Sequence, residues 1–189
     1  MKIILASASP RRQQFFEELN LDYEVVLKPV EEVYPKNLQR EEITNFLAIL
    51  KASVFQKDIQ PNEVVITSDT LVWHEGKALG KPQNYDDAFA MLKSLSGKQH
   101  EVITSVCFSS LTKQKVVSCV TKVSFKQLTN NEIDFYLTTY KPYDKAGAYG
   151  IQDWIGLVGV THIEGSYNNV MGLPTHLIYE TLQSFENQK

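Results

Sequence analysis

The chain opens with an unbroken apolar run, Ile3-Ile4-Leu5-Ala6, that passes directly into Ser7-Ala8-Ser9-Pro10-Arg11-Arg12 and then into a helical pattern carrying Phe15, Phe16 and Leu19. The run reads as a buried strand. Ser9 stands where an N-cap belongs, and Pro10 takes the first helical position, where its missing N–H costs nothing. Strand, hydroxyl-rich turn and helix in immediate succession commit the N-terminus to an α/β arrangement. They also build an anion site on three counts: a helix N-terminus, hydroxyl donors and guanidinium forks. The chain has three arginines, Arg11, Arg12 and Arg40, and two of them lie in this turn. A solvated arginine pair on an ordinary first turn is the plainer reading. Arginine at a helix N-terminus opposes the macrodipole, however, so a bound anion explains the pattern better.

Composition narrows the classes. With 189 residues the chain can bury a sizeable core as one domain or two fused lobes. A hydrophobic share of 43% beside 22% charged residues fits a globular protein. The net charge of −3 gives no broad basic field, so nucleic acid is not expected as a partner. Cys107 and Cys119 are too few and too far apart for a zinc cluster or a disulfide framework, and read as reduced thiols in apolar strands. No signal-peptide pattern and no membrane-length apolar run is seen, so a cytoplasmic location and no membrane association are expected.

Along the chain, Tyr23 to Leu27 reads as a second strand and Val30 to Lys36 as a loop carrying Glu31 and Glu32. Arg40 to Lys57 has helical periodicity through Phe46, Leu47, Leu50 and Val54, with Lys51 near that face. Val64-Val65-Ile66-Thr67 reads as a strand that stops at Ser68-Asp69-Thr70. Leu71-Val72-Trp73 and Ala78-Leu79 flank a hairpin turn at His74-Glu75-Gly76-Lys77. Asn84 caps a helix to about Leu95, closed by Ser96-Gly97. Strands are expected at His100 to Ser109 and Lys115 to Phe125, and a helix with a capping box over Thr129 to Tyr140. Trp154 to Ile163 is strand-like, and Pro174 opens a last helix through Phe185. Alternating elements early and strand pairs later point to an α/β fold on a mixed sheet, without repeats or a linker.

Polar residues gather at what this pattern makes element ends. Beyond the Ser-rich arginine turn, Ser68-Asp69-Thr70 sets a carboxylate at a strand end, where α/β proteins hold ligands. Such a carboxylate can hold a divalent metal or orient water. A plain turn accounts for the same letters. Leu79-Gly80-Lys81-Pro82 frames one lysine but is not a P-loop, because Pro82 stands where Ser or Thr would ligate magnesium. Tyr143 to Gln152 and Gly165 to Pro174 are glycine-containing segments that read either as binding loops or as turns. His74, His100, His162 and His176 are scattered and read as structural. With no elbow serine and no zinc-protease motif, the charged residues suit positioning and charge neutralisation on a polyphosphate.

Taken together and in order, these segments resemble the Maf family of nucleoside triphosphate pyrophosphatases, from Ile3 to about Leu182. The resemblance rests on Ser7 to Arg12, Glu31-Glu32, Lys51, Ser68-Asp69-Thr70, Gly80-Lys81-Pro82, Ser96-Gly97 with His100, Asp144 to Gln152, and Gly165 to Pro174. It implies one Maf-like domain over 1–189, of two lobes with no separable linker. The implied fold is like that of inosine triphosphatases: an elongated mixed β-sheet with flanking helices and a cleft between lobes. The implied reaction is hydrolysis of a nucleoside triphosphate to the monophosphate and pyrophosphate with a divalent metal, magnesium or manganese. A homodimer is implied as well.

Roles carry over by position. Ser7, Arg11 and Arg12 match phosphate-binding positions, and Lys51 and Lys81 match positions that neutralise the triphosphate. Asp69 matches the proton acceptor that activates water for attack at the α-phosphorus, and Glu32 with Asp69 is the candidate metal pair. Arg12, Thr70 and Gln152 match the branch acting on dTTP and UTP rather than the 7-methyl-GTP branch. A glutamine amide can satisfy a donor and an acceptor on a pyrimidine edge, and an unpaired amide rejects a wrong base. The family usually places Gly after the Gln, whereas this chain has Asp153. Ser105 and Ser68 are lesser departures. A nucleotide-binding regulator of septum formation would hold the same triphosphate without turnover; Asp69, Glu32 and Lys81 together favour turnover.

Overall fold

The structure, a computed structural model, describes residues 1–186. β1 (Lys2–Leu5) forms from the apolar run, and three of its residues are buried. It lies parallel to β2 (Tyr23–Val25) and to β3 (Glu63–His74), with Leu5 opposite both Val25 and Ile66. Between β1 and β2, α1 (Pro10–Glu18) starts at the proline, as the sequence predicts. Ser9 caps it through its carbonyl rather than its side chain, accepting the N–H groups of Arg12 and Gln13. α2 (Glu41–Ser53) is shorter than the predicted helix and buries Ile43, Leu47, Ala48 and Ala52, leaving Phe46 exposed.

β3 corrects the sequence reading. Its strand does not stop at Ser68-Asp69-Thr70 but runs through the triplet to His74, with Ser68 and Asp69 buried in mid-strand. Polar letters imitate a turn, but pairing with neighbouring strands keeps the backbone extended. β4 (Lys77–Leu79) returns antiparallel as predicted, pairing His74 with Lys77 across a turn in which Glu75 and Gly76 both have positive φ. α3 (Tyr85–Leu95) is capped by Asn84, whose Oδ1 accepts the Asp87 N–H at 2.9 Å. β5 (Gln99–Ser109) and β6 (Gln114–Phe125) follow, and both cysteines, on these strands, are thiols. The capping box of Thr129 and Glu132 opens α4 (Asn130–Tyr140).

The second correction lies at 154–163. Trp154 to Gly159 is a short helix, α5, and only then does β7 (Val160–Glu164) form, antiparallel to β6. Aromatic and β-branched letters favour a strand there, but the chain winds so tightly at this point that a Cβ at Gly156 would collide with the Ile151 carbonyl. α6 (Tyr167–Val170) and α7 (Thr175–Glu186) complete the order. The sheet is mixed, ordered β2-β1-β3-β5-β6-β7, with β4 on β3.

Two compact units divide the chain. The first comprises 1–69, 104–119 and the stretch that begins at 172; the second comprises 70–103 and 120–171. In the first, Ile4, Phe55, Ile59 and Val65 form one apolar cluster, and Ala48, Ala52 and Cys107 form another. In the second, Leu92, Val123, Ile133, Leu137, Tyr149 and Ile155 belong to one continuous core. Among the described residues no helix is long and apolar enough to cross a membrane.

Candidate active site

The first unit gathers six of the sequence-predicted residues. The β1–β3 register sets Leu5 beside Ile66, so Ser7 and Ser68 each lie two residues beyond that pair. Ser7 is buried; its Oγ accepts the Ser9 N–H at 3.3 Å and its carbonyl accepts Gln13 Nε2 at 3.1 Å. Arg12 reaches inward from the first turn of α1, donating from Nε to the Gly172 carbonyl at 3.0 Å and from Nη1 to the Ser68 carbonyl at 3.1 Å. Burial lowers its pKa, the charge of Asp69 opposes that, Arg11 adds to it and Glu32 opposes it. Arg11, Arg12, Asp69 and Glu32 therefore act within one electrostatic neighbourhood.

Lys51 is the centre of this cluster. Placed in the last turn of α2, it donates to Asp69 Oδ1 at 2.7 Å and pairs with Glu32 Oε2 at 2.9 Å. The Lys51 and Asp69 side chains are only 17% and 11% exposed, whereas Glu32 on its loop is 53% exposed. One ammonium thus holds a buried carboxylate and an exposed one together. Short, charge-assisted and shielded from water, the Lys51–Asp69 bond is of the strong kind. Ser68 Oγ, beside it in sequence, is buried with no hydrogen-bond partner. Three cations and two carboxylates of the predicted set meet here.

Thr70, Lys81 and Gln152 belong to the second unit. Thr70 follows Asp69 directly on β3, so the two side chains leave the strand on opposite faces. Lys81 is exposed between Gly80 and a buried Pro82. The Gly80 carbonyl accepts the Gly147 N–H at 3.0 Å, which ties the lysine segment to the loop that ends in the exposed Gln152. Lys145 on that loop pairs with Asp144 at 2.8 Å.

The histidines fill structural places. His74 Nε2 meets the Ser94 carbonyl at 3.0 Å, and His100 Nε2 meets Tyr149 Oη at 2.7 Å. Burial first, then nearby His74, drives the His100 pKa down to about 3, so the ring is neutral. His162 and His176 are exposed. That the Gly172 carbonyl holds Arg12 is not legible in the letters, since a backbone acceptor has no letter of its own. Tyr136 was missed too: its Oη lies 2.7 Å from Asp153 Oδ2, and a tyrosine at a core-facing helical position reads only as core.

A Maf-like protein family model matches residues 2–185. A dTTP/UTP pyrophosphatase of Flavobacterium johnsoniae is 61% identical over 181 residues, covering 96% of this chain and 93% of that one. A dTTP/UTP pyrophosphatase of Christiangramia forsetii is 55% identical over 186 residues, covering 98% and 95%. Among solved structures, the Ham1 protein of Staphylococcus aureus matches with a TM-score of 0.53 at 16% identity, over 96% of this chain and 100% of that one, a likeness of fold. Model and relatives run nearly end to end through the arginine turn, β3 and the Gln152 loop, and the chain belongs to the Maf family.

Proposed function

We propose that the chain is a nucleoside triphosphate pyrophosphatase that hydrolyses dTTP and UTP to the monophosphate and pyrophosphate. The relatives named for that activity support the substrate. The observation that carries the chemistry is Lys51 gripping both Asp69 and Glu32 beside Arg12. A buried carboxylate with a cation on one oxygen keeps its other oxygen for a water proton. In this reading Asp69 takes a proton from water, the water oxygen bonds the α-phosphorus, and the bond to the bridging oxygen breaks with its electron pair leaving on pyrophosphate. Ser7, Arg11, Arg12, Lys51 and Lys81 bind and neutralise the phosphates, while Thr70 and Gln152 read the base.

Glu32 and Asp69 fit a divalent cation. Two carboxylates within reach of one ammonium suit magnesium or manganese, which take one or two carboxylates and complete their shell from phosphate oxygens and water. Among the described residues no group of three or more His, Cys, Asp or Glu is placed to hold an ion, and in this reading phosphate oxygens and water supply the remaining ligands. When bound, the ion neutralises charge on the phosphates. The same reading carries a cytoplasmic homodimer, which light scattering of the purified protein tests for its stoichiometry.

The test is pyrophosphate release from a panel of nucleoside triphosphates with magnesium or manganese, beside Asp69→Asn. Preferred cleavage of dTTP and UTP is expected, with a loss of about 10²–10⁴-fold in the variant and nucleotide affinity retained. A near-normal rate in Asp69→Asn removes the base assignment. Preferred cleavage of 7-methyl-GTP keeps the reaction and replaces the substrate. Nucleotide bound without any turnover replaces the enzyme with a regulator.

A further inference from the structure

Asp153, the residue after Gln152, has a buried partner. Residues 150–153 form a tight turn closed by the Asp153 N–H on the Gly150 carbonyl at 3.0 Å. Of its two central residues, Ile151 is buried in the core of the second unit and Gln152 is exposed. One oxygen staples both ends of this turn. Tyr136 Oη, from α4, accepts the Gly150 N–H at 3.0 Å and donates to Asp153 Oδ2 at 2.7 Å. The Tyr136 ring is wholly buried and stacks on Tyr140 with centroids 5.2 Å apart. Burial first, then the bond to Asp153, raises the phenol pKa, so the hydroxyl keeps the proton it donates. A Cβ at Gly150 would lie 2.7 Å from Asp153 Oδ2 and 2.9 Å from Lys145 Cε, so the carboxylate packs directly over Gly150.

We propose that Tyr136 and Asp153 are positioning residues that fix the turn presenting Gln152 and thereby set the preference for pyrimidine triphosphates. This rests on the reading of Gln152 as a base-reading residue. The apolar anchor at Ile151 fixes one side of the turn, and the phenol fixes both ends, so Gln152 starts from one backbone direction. An amide presented that way meets a base edge without first ordering its own loop. Asp153 makes no side-chain cap on α5, which leaves its carboxylate to the phenol.

The experiment measures kcat and KM for dTTP, UTP and dGTP in the intact enzyme and in Tyr136→Phe, Asp153→Ala, Asp153→Asn and Gln152→Ala, with thermal melting of each. Tyr136→Phe and Asp153→Ala are expected to raise KM for dTTP and UTP about tenfold, the loss of one hydrogen bond to a charged group, with kcat little changed and dGTP unaffected. Asp153→Asn keeps an oxygen for the phenol and is expected to restore the wild-type KM. Combined with Gln152→Ala, Tyr136→Phe is expected to add nothing. A merely structural pair would lower melting temperature and leave selectivity alone. Should Tyr136→Phe fail to fold, the partly exposed Asp153 carries the test. Unchanged selectivity in Asp153→Ala, with selectivity lost in Gln152→Ala, overturns the proposal and leaves the proposed function standing. Unchanged selectivity in Gln152→Ala overturns the base-reading role and the proposal with it.

Discussion

At the scale of the residue, burial decides which charges survive. Asp69 stays buried because Lys51 meets it; His100 stays buried by giving up its proton. The second case has a pH signature. The His100 pKa in the fold is about 3, against an ordinary 6.5. Above 6.5 neither the folded nor the unfolded chain protonates the ring. Below it the unfolded chain takes up a proton that the fold refuses, so this contribution is lost as pH falls from 6.5 toward 3. The slope is about 1.4 kcal/mol per pH unit for one proton. His100→Gln is expected to be less stable at pH 7, because Tyr149 loses its ring partner, yet to show a flatter decline over that window. Denaturant melts from pH 7 to pH 3 check it, and parallel curves for both chains would refute it.

At the scale of the element, caps were legible, and so were the spans of α3, β5, β6 and α4, but the extent of β3 and the nature of α5 were not. Thr129 with Glu132 and Asn84 with Asp87 are local chemistry written in neighbouring letters, and both helices begin where those letters say. β3 was read too short because Ser68-Asp69-Thr70 is polar, and the sheet pairing that holds it extended comes from residues far away in sequence. The predicted site residues were legible as types, but their meeting was not: the Lys51–Asp69–Glu32 grip depends on α2, β3 and a loop converging. α5 was read as strand because its letters are β-branched and aromatic, whereas the deciding contact is backbone on backbone. A Cβ at Gly156 would fall 1.7 Å from the Ile151 carbonyl oxygen. Gly156→Ala is therefore expected to destabilise by the upper part of ~1–3 kcal/mol, lowering the melting temperature by roughly 5–10 °C. Calorimetry checks this, and a variant melting with the parent would show that the 151–156 backbone yields cheaply.

At the scale of the molecule, the first unit is assembled from three separated stretches, and its last stretch carries Leu173, Ile178 and Leu182 into buried positions. A chain ending at Met171 is expected to lose nucleotide affinity and the hydrogen-exchange protection of β1 amides. Retention of both would show the final stretch to be dispensable. The alternation of helices and strands was enough to give the α/β class, but a unit built from distant stretches has no local mark in the letters. The bond from Arg12 to the Gly172 carbonyl spans 160 positions. For a ribosome this means that the arginine fork emerges early and its anchor emerges late. Every nascent or truncated polypeptide short of Gly172 carries the arginine turn without that anchor, so synthesis itself withholds this hold on Arg12 until residue 172 has been added.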